Sequence, residues 1–270
     1  MLTAHAMPSA PLAGHVEFFW AMDAPLRADG AERVLPSGTT ELVFDLRDPG
    51  RLALICGPHS EPFVLQGASR ESFAGIHFKP GGATRLLGVP ESELANGFVD
   101  LDALWGRQAR ELRARLGDAE TPAAALTLLE RALLARLERT RAGHACVAYA
   151  LDALARVPAR RSIGEIAAQT GLSARRFITV FTQQVGLSPK LFARVRRFQH
   201  VLHVAHAQRA PDWARLALAC GYYDQAHLVR DFGDFASVSP GAYLRLRGDD
   251  PNHIALAPEV QIRPRAEVHA

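Results

Sequence analysis

Arg175, Ile178 and Thr179, and about fifty residues further on Gln225, Val229 and Arg230, have side chains suited to the edges of base pairs. An arginine fork matches guanine, a glutamine amide matches adenine, and an aliphatic group meets the thymine methyl. Each trio falls off the apolar face of a short amphipathic pattern, so each is available to a partner. No residue pattern in the chain assembles a catalytic set, so the chemistry on offer is recognition rather than bond-making.

The elements that carry these trios repeat. One stretch runs from Ile163 to Pro189 and the other from Trp213 to Pro240. Ser162 and Glu165 have the spacing of a capping box, in which each side chain satisfies a backbone N–H at the helix start. Ile163, Ile166 and Ala167 make a narrow apolar face, and Gly171 ends the helix where a left-handed conformation favours glycine. Ser173 caps a second helix, whose Phe177 and Phe181 lie one turn apart and point to a core. In the second stretch Trp213, Leu216 and Ala217 take the places of Ile163, Ile166 and Ala167, and Gly221 that of Gly171. After a one-residue insertion Asp224 stands for Ser173, Leu228 and Phe232 for the two phenylalanines, and Pro240 for Pro189. This is the pattern of two helix-turn-helix units. Between them Leu191, Val195, Phe198, Leu202 and Ala205 share one face of a long helix that joins the units rigidly.

Charge follows the same division. The chain of 270 residues carries +3 overall. Residues 158–247 hold 13 Lys plus Arg against 5 Asp plus Glu, and the remainder is net acidic. A basic third beside an acidic remainder fits a nucleic-acid-binding module joined to something else. A hydrophobic fraction of 48% is that of an ordinary globular chain. There is no apolar run long enough for a membrane span, and the N-terminal residues lack the pattern of a signal peptide. Cys56, Cys146 and Cys220 are too scattered for a zinc signature or a disulfide framework, so a reducing cytoplasm is expected.

The N-terminal part reads differently. Val16–Met22, Thr39–Arg47, Arg51–Gly57, Pro62–Gly67 and Ser72–Pro80 are short, rich in Val, Ile and Phe, and bounded by turn residues, which predicts strands over about residues 1–80. Asp48-Pro49-Gly50 is expected to be a turn between two of them. Phe44, Phe63, Phe73 and Phe78 are expected in the core. Helical patterns follow near Leu101–Leu116, Pro122–Arg139 and Gly143–Arg156, with Leu126, Leu129, Leu133 and Leu137 as one stripe and Thr121-Pro122 as a helix start. These helices are expected to cover the sheet, with subunit contact as the alternative. His59 and His77 lack the spacing of metal ligands, and Gly81-Gly82-Ala83-Thr84 lacks the full phosphate-loop pattern, so a structural turn is expected there. After Leu246 the chain is polar and broken by proline, which predicts a disordered tail.

The stretch GYYDQAHLVRDFGDFASVSPGAYLR resembles the signature of the AraC/XylS family of bacterial transcriptional regulators, and the resemblance spans about a third of the chain. LPSGTTELVFDL and the segment from Gly75 to Gly106 are similar to the N-terminal region of one AraC-type subgroup. Gly233 and Ser237 depart from the pattern, where a basic residue and a closing glycine are usual. The resemblance implies that Arg175, Ile178 and Thr179 face bases in one half-site and Gln225, Ala226, Val229 and Arg230 in the other. For Arg175 and Arg230, phosphate contact or plain solvation is the alternative. Ser173, Arg176, Asp224 and His227 are expected nearer phosphates, with packing the alternative for Arg176 and His227.

The fold class expected is α+β: a small antiparallel β-sandwich or barrel with covering helices, then an all-α tandem helix-turn-helix domain. The divisions expected are residues 1–142 for sensing or oligomerisation, 143–247 for DNA binding, and 248–270 as the tail. Double-stranded DNA is the expected partner. A small-molecule effector, RNA polymerase and a second copy of the chain are further ones, in the cytoplasm, without cofactor, metal or membrane. The competing reading is a barrel enzyme or small-molecule-binding protein with an accessory DNA-binding tail.

Overall fold

The computed structural model describes residues 2–24, 31–47, 53–66, 71–138, 144–155 and 162–256. The chain first runs through β1 (Leu2–Ala6), β2 (Val16–Ala24), β3 (Ala31–Val34), β4 (Glu41–Asp45), β5 (Ala53–Cys56), β6 (Phe63–Gln66) and β7 (Glu71–Phe78). Next come α1 (Ala83–Leu87), a 3₁₀ turn (Glu91–Glu93), β8 (Phe98–Asp100), α2 (Leu101–Trp105), α3 (Arg107–Gly117) and α4 (Pro122–Leu137). The helical part comprises α5 (Ala145–Ala155), α6 (Ile163–Gln169), α7 (Ala174–Val185), α8 (Pro189–His206), α9 (Trp213–Ala219), α10 (Gln225–Ala236) and α11 (Pro240–Leu246), and β9 (His253–Ala255) follows it. The turn expected at 48–50 and the tail beyond residue 256 lie outside the described residues.

Two antiparallel sheets form, and neither closes into a barrel. The larger has the order β1-β2-β7-β4-β5-β8 and the smaller β6-β3-β9. Alternation sets the faces of the larger sheet. Phe19, Ala21, Leu42, Phe44, Ile55, Ala74, Ile76 and Phe78 are buried on one face. There they pack with Leu126, Leu129 and Leu133 of α4, so α4 covers the sheet. A register shift between Val16 and Phe18 lets Val16 and Phe19 share that face although three residues apart. Thr121 caps α4 as its sequence predicts, accepting from the Ala124 amide at 3.2 Å.

The opposite face of the sheet is half-buried. It carries Phe18, Trp20, Glu41, Val43, Leu54, Cys56, Phe73 and His77. Phe63 is also half-buried, so of the four phenylalanines expected in the core only Phe44 and Phe78 are fully enclosed. Trp20 lies flat against Gly75, where a Cβ would meet the indole at 2.4 Å. This half-buried face is where the sheet carries its polar side chains. His77 Nδ1 and Glu41 Oε1 pair at 2.7 Å on it, and Thr39 Oγ1 reaches His77 Nε2 at 3.2 Å.

Three expectations need correction. The helix predicted over Leu101–Leu116 is broken into α2 and α3 at Gly106, which takes a positive φ of 55°. Strands do not stop near residue 80, because β8 pairs with β5. Residues 248–256 were expected in a disordered tail, yet they turn back and add β9 to the edge of β3. The energetic reason is long-range: Ile254 is fully buried in the helical core, and the β3 edge supplies backbone partners.

The sheets and helices pack directly against each other. Leu35 joins the core of the helical part. Thr84 Oγ1 donates to the Gln184 carbonyl at 3.0 Å, Gln199 Nε2 to that of Pro36 at 2.8 Å, and Arg33 Nη1 to that of Ala236 at 3.1 Å. The glycine-rich start of α1 is an anion cradle filled by the protein itself. Glu91 is fully buried and accepts from the amides of Ala83 and Thr84 and from the Thr40 hydroxyl. Burial pushes its carboxyl up to about 7, against the pull of those hydrogen bonds.

Candidate nucleic-acid interface

Each recognition helix is fixed by caps at its start and by aromatic side chains beneath. In the first unit Ser162 and Glu165 form the capping box, with Glu165 Oε2 accepting from the Ser162 amide at 2.7 Å. Gly171 turns the chain at φ 72°. Ser173 accepts from the Arg176 amide at 3.3 Å and starts α7. Phe177 and Phe181 pack into the core, their rings tilted by 47° with centroids 5.9 Å apart. Because they face inward, Arg175, Arg176, Ile178 and Thr179 face outward, and all four are exposed.

The second unit repeats this with different chemistry. Asp212 caps α9 through the amides of Ala214 and Arg215, and Gly221 turns at φ 80°. Asp224 accepts from the His227 amide at 2.7 Å and starts α10. Leu228 and Phe232 are fully buried, and the edge of Trp213 meets the Phe232 ring. Gln225, Ala226, Val229 and Arg230 are exposed. Ile178 and Val229 are 44% and 40% exposed, aliphatic groups left on the outer faces of helices whose inner faces are sealed. Tyr223, next to the cap, is 86% exposed and was not singled out from the sequence.

The four residues expected near phosphates divide by geometry. Ser173 Oγ and Asp224 Oδ1 each accept from a backbone amide as helix caps. Arg176 is exposed. His227 is half-buried, with its ring T-shaped to Tyr222 and 3.5 Å from Arg197 Nη2.

A charged hub holds α10 to α8. Asp231 is 1% exposed. Its Oδ1 accepts from Arg194 Nη2 at 2.7 Å, and its Oδ2 from Arg197 Nη2 at 3.5 Å. Arg194 also reaches Asp234 at 2.6 Å, and Arg197 lies over the Tyr222 ring at 4.4 Å. Sequence reasoning passed over this hub, although two signals were present. Asp231 interrupts the apolar stripe Leu228, Phe232, Phe235, and Arg194 and Arg197 are three apart on one helix face.

All five acidic side chains in residues 158–247 are therefore engaged within the protein: Glu165, Asp212 and Asp224 by caps, and Asp231 and Asp234 by Arg194. Among the described residues no acid pairs with Arg175, Arg176 or Arg230, which suits a phosphate-lined partner.

Elsewhere the candidates for chemistry are quiet. Burial and the Glu41 charge push the Cys56 thiol far above its ordinary range, the reverse of what a nucleophile needs. His59 is buried between Phe63 and Phe98, and burial pushes it down to about 4, so it stays neutral. Among the described residues no group of three or more His, Cys, Asp or Glu is placed to hold a metal ion, and no helix is long and apolar enough to cross a membrane.

Two family models match the chain: a helix-turn-helix domain over residues 166–246, and a domain of unknown function (DUF6597) over residues 4–100. No curated protein matches it. Among solved structures, an apo variant of ToxT from Vibrio cholerae aligns with 84% of this chain and 97% of its own, at 10% identity and a TM-score of 0.40. Wild-type ToxT bound to an unsaturated fatty acid aligns with 89% of this chain and 92% of its own, at 7% identity and a TM-score of 0.40.

Proposed function

From a chain whose residues 166–246 match a helix-turn-helix domain, we propose a sequence-specific transcriptional regulator of the AraC type that lays α7 and α10 into successive major-groove segments of double-stranded DNA. One observation carries this reading. Both helices present exposed arginine with aliphatic or amide side chains, unpaired among the described residues, while every acid of residues 158–247 is engaged within the protein. Arg175, Ile178 and Thr179 read one half-site, and Gln225, Ala226, Val229 and Arg230 the other. Arg176 contacts phosphate, Ser173 and Asp224 orient the helix starts, and His227 supports α10.

Residues 143–247 form the DNA-binding division, and residues 1–142 the sensing or oligomerising one. The half-buried face of the larger sheet, with the Glu41–His77 pair and Trp20, is the place for a small-molecule effector. Such a regulator works in the cytoplasm, alone or as a homodimer, beside RNA polymerase. Its mechanism is binding and population shift rather than catalysis.

Salt dependence tests the reading. Affinity for duplex DNA, followed by fluorescence anisotropy, is expected to fall linearly on a log–log plot against salt, losing about 0.9 of a decade per decade of salt for each phosphate neutralised. A flat response would place the exposed arginines outside any phosphate contact and leave a protein-interaction module instead.

A further inference from the structure

The strand that returns from the end of the helical part faces two ways. In the small sheet His253 sits opposite Val34, itself opposite Phe63, and Ile254 sits opposite Arg33. Alternation therefore sends His253 to the Phe63 side of the small sheet, within reach of the Glu41 charge, and Ile254 to the other side. His253 Nδ1 pairs with Glu32 Oε2 at 2.9 Å, while Ile254 is fully buried among the helices that carry the reading residues. Arg33, on the same side as Ile254, donates to the carbonyl of Ala236, the last residue of α10. The next residue, Ser237, closes that helix at φ 55°, a left-handed position that a non-glycine residue holds only at a cost of about 1 kcal/mol. Arg33 thus supports the strained end of the second recognition helix. The strand is tied on both sides: Leu35 N donates to Asn252 O at 2.8 Å, Leu256 N to Ala31 O at 2.9 Å, and the Tyr243 hydroxyl of α11 to Pro251 O at 2.9 Å. Residues 247–256 lie outside both matched domains.

We propose that His253–Ala255 is a transmission strap, which carries the state of the His253–Glu32 pair to the C-terminal end of α10 by way of β3 and Arg33. The His253–Glu32 pair is its clasp. A ligand that competes for Glu32, or loss of the proton on His253, opens the clasp, loosens the β3–β9 ladder and withdraws support from Ser237. This deepens the regulator reading only in its effect on DNA. The strap itself is a property of the free protein.

The clasp is sensitive to pH. Burial alone lowers the His253 pKa, but the hydrogen bond to Glu32 and the charges of Asp250, Glu32 and Glu41 outweigh burial and raise it. The groups facing it are Glu32 on β3, Asp250 in the turn before β9 and Glu41 on β4, with His77 of β7 beyond Glu41. Its contribution is therefore full below the ordinary histidine value of about 6.5 and is lost as pH rises through the higher folded value.

Amide hydrogen exchange on the full-length chain at pH 6, without DNA, tests the strap. His253→Ala and Glu32→Gln break the clasp from opposite sides, so a folding defect in one does not decide the result. Both are expected to speed exchange at Leu35, Leu256 and Ser237 by about fivefold, the low end of an ordinary coupling free energy, with Leu228 at the start of α10 unchanged as the internal control. Faster exchange at Leu35 and Leu256 with Ser237 unmoved would make the strand a local flap and overturn the proposal. So would no change at any of the three, or an equal rise that includes Leu228. A chain that bound no DNA would refute the regulator reading, while the strap would still stand or fall on this exchange pattern alone.

Discussion

Gly186→Ala is expected to cost about 3 kcal/mol, whereas Gly171→Ala costs about 1. Both glycines close or follow a helix with positive φ, 81° and 72°. The left-handed penalty for a Cβ, about 1 kcal/mol, is common to the two. They differ in what the new methyl meets. At Gly171 nothing lies within 4 Å. At Gly186 a Cβ would stand 2.3 Å from Pro58 Cγ and 2.9 Å from the Glu91 carbonyl oxygen, a proline ring and a backbone atom with little freedom to move. Overpacking of that kind adds about 1–3 kcal/mol. The difference between the two variants, read from denaturant midpoints on the full chain, measures how tightly the sheet part grips the first helix-turn-helix unit. Equal losses would mean that the two parts touch without load.

Asp231→Ala is expected to cost about 2–3 kcal/mol. Breaking a buried pair on one side costs about 3–5 kcal/mol where the remaining charge has no other partner. Here the two arginines keep some solvent, and each keeps a second contact: Arg194 with Asp234, and Arg197 with the Tyr222 ring and the Gly221 carbonyl. That moves the cost below the usual range. Asp234→Ala, at an exposed carboxylate, is expected to cost no more than about 1 kcal/mol. Thermal unfolding of the two variants separates these cases. Similar losses from both would show that Asp231 is not the anchor of α10.

The helix-turn-helix units were legible because their determinants are local. Ser162 and Glu165 find each other within one turn, Ser173 and Asp224 cap the helices they precede, and Phe177, Phe181, Leu228 and Phe232 declare their inner faces by spacing alone. The outward placement of Arg175, Ile178, Thr179, Gln225, Ala226, Val229 and Arg230 follows from those inner faces. Strands β2, β4, β5, β6 and β7 were legible from their Val, Ile and Phe content. β3 and β9 were not, because AERV and HIA carry little apolar signal: β3 is held between β6 and β9, and β9 pairs with β3 across more than two hundred residues. Glu91 is a similar case. Its role depends on the amides of Ala83 and Thr84 and on Thr40, which a linear reading has no reason to join. Gly186 reads as a helix-ending glycine, and only the fold shows that it also faces Pro58.

The most direct test of the paired reading heads is to select binding fragments from random duplex DNA with the full-length chain, then repeat the selection with Arg175→Ala and with Arg230→Ala. Each variant is expected to lose base preference at one position and about 1–3 kcal/mol for the correct site, and the two relaxed positions are expected about 10 base pairs apart, one helical turn. Relaxation at the same position, or a uniform loss with preference intact everywhere, would contradict two helices reading successive faces of one duplex.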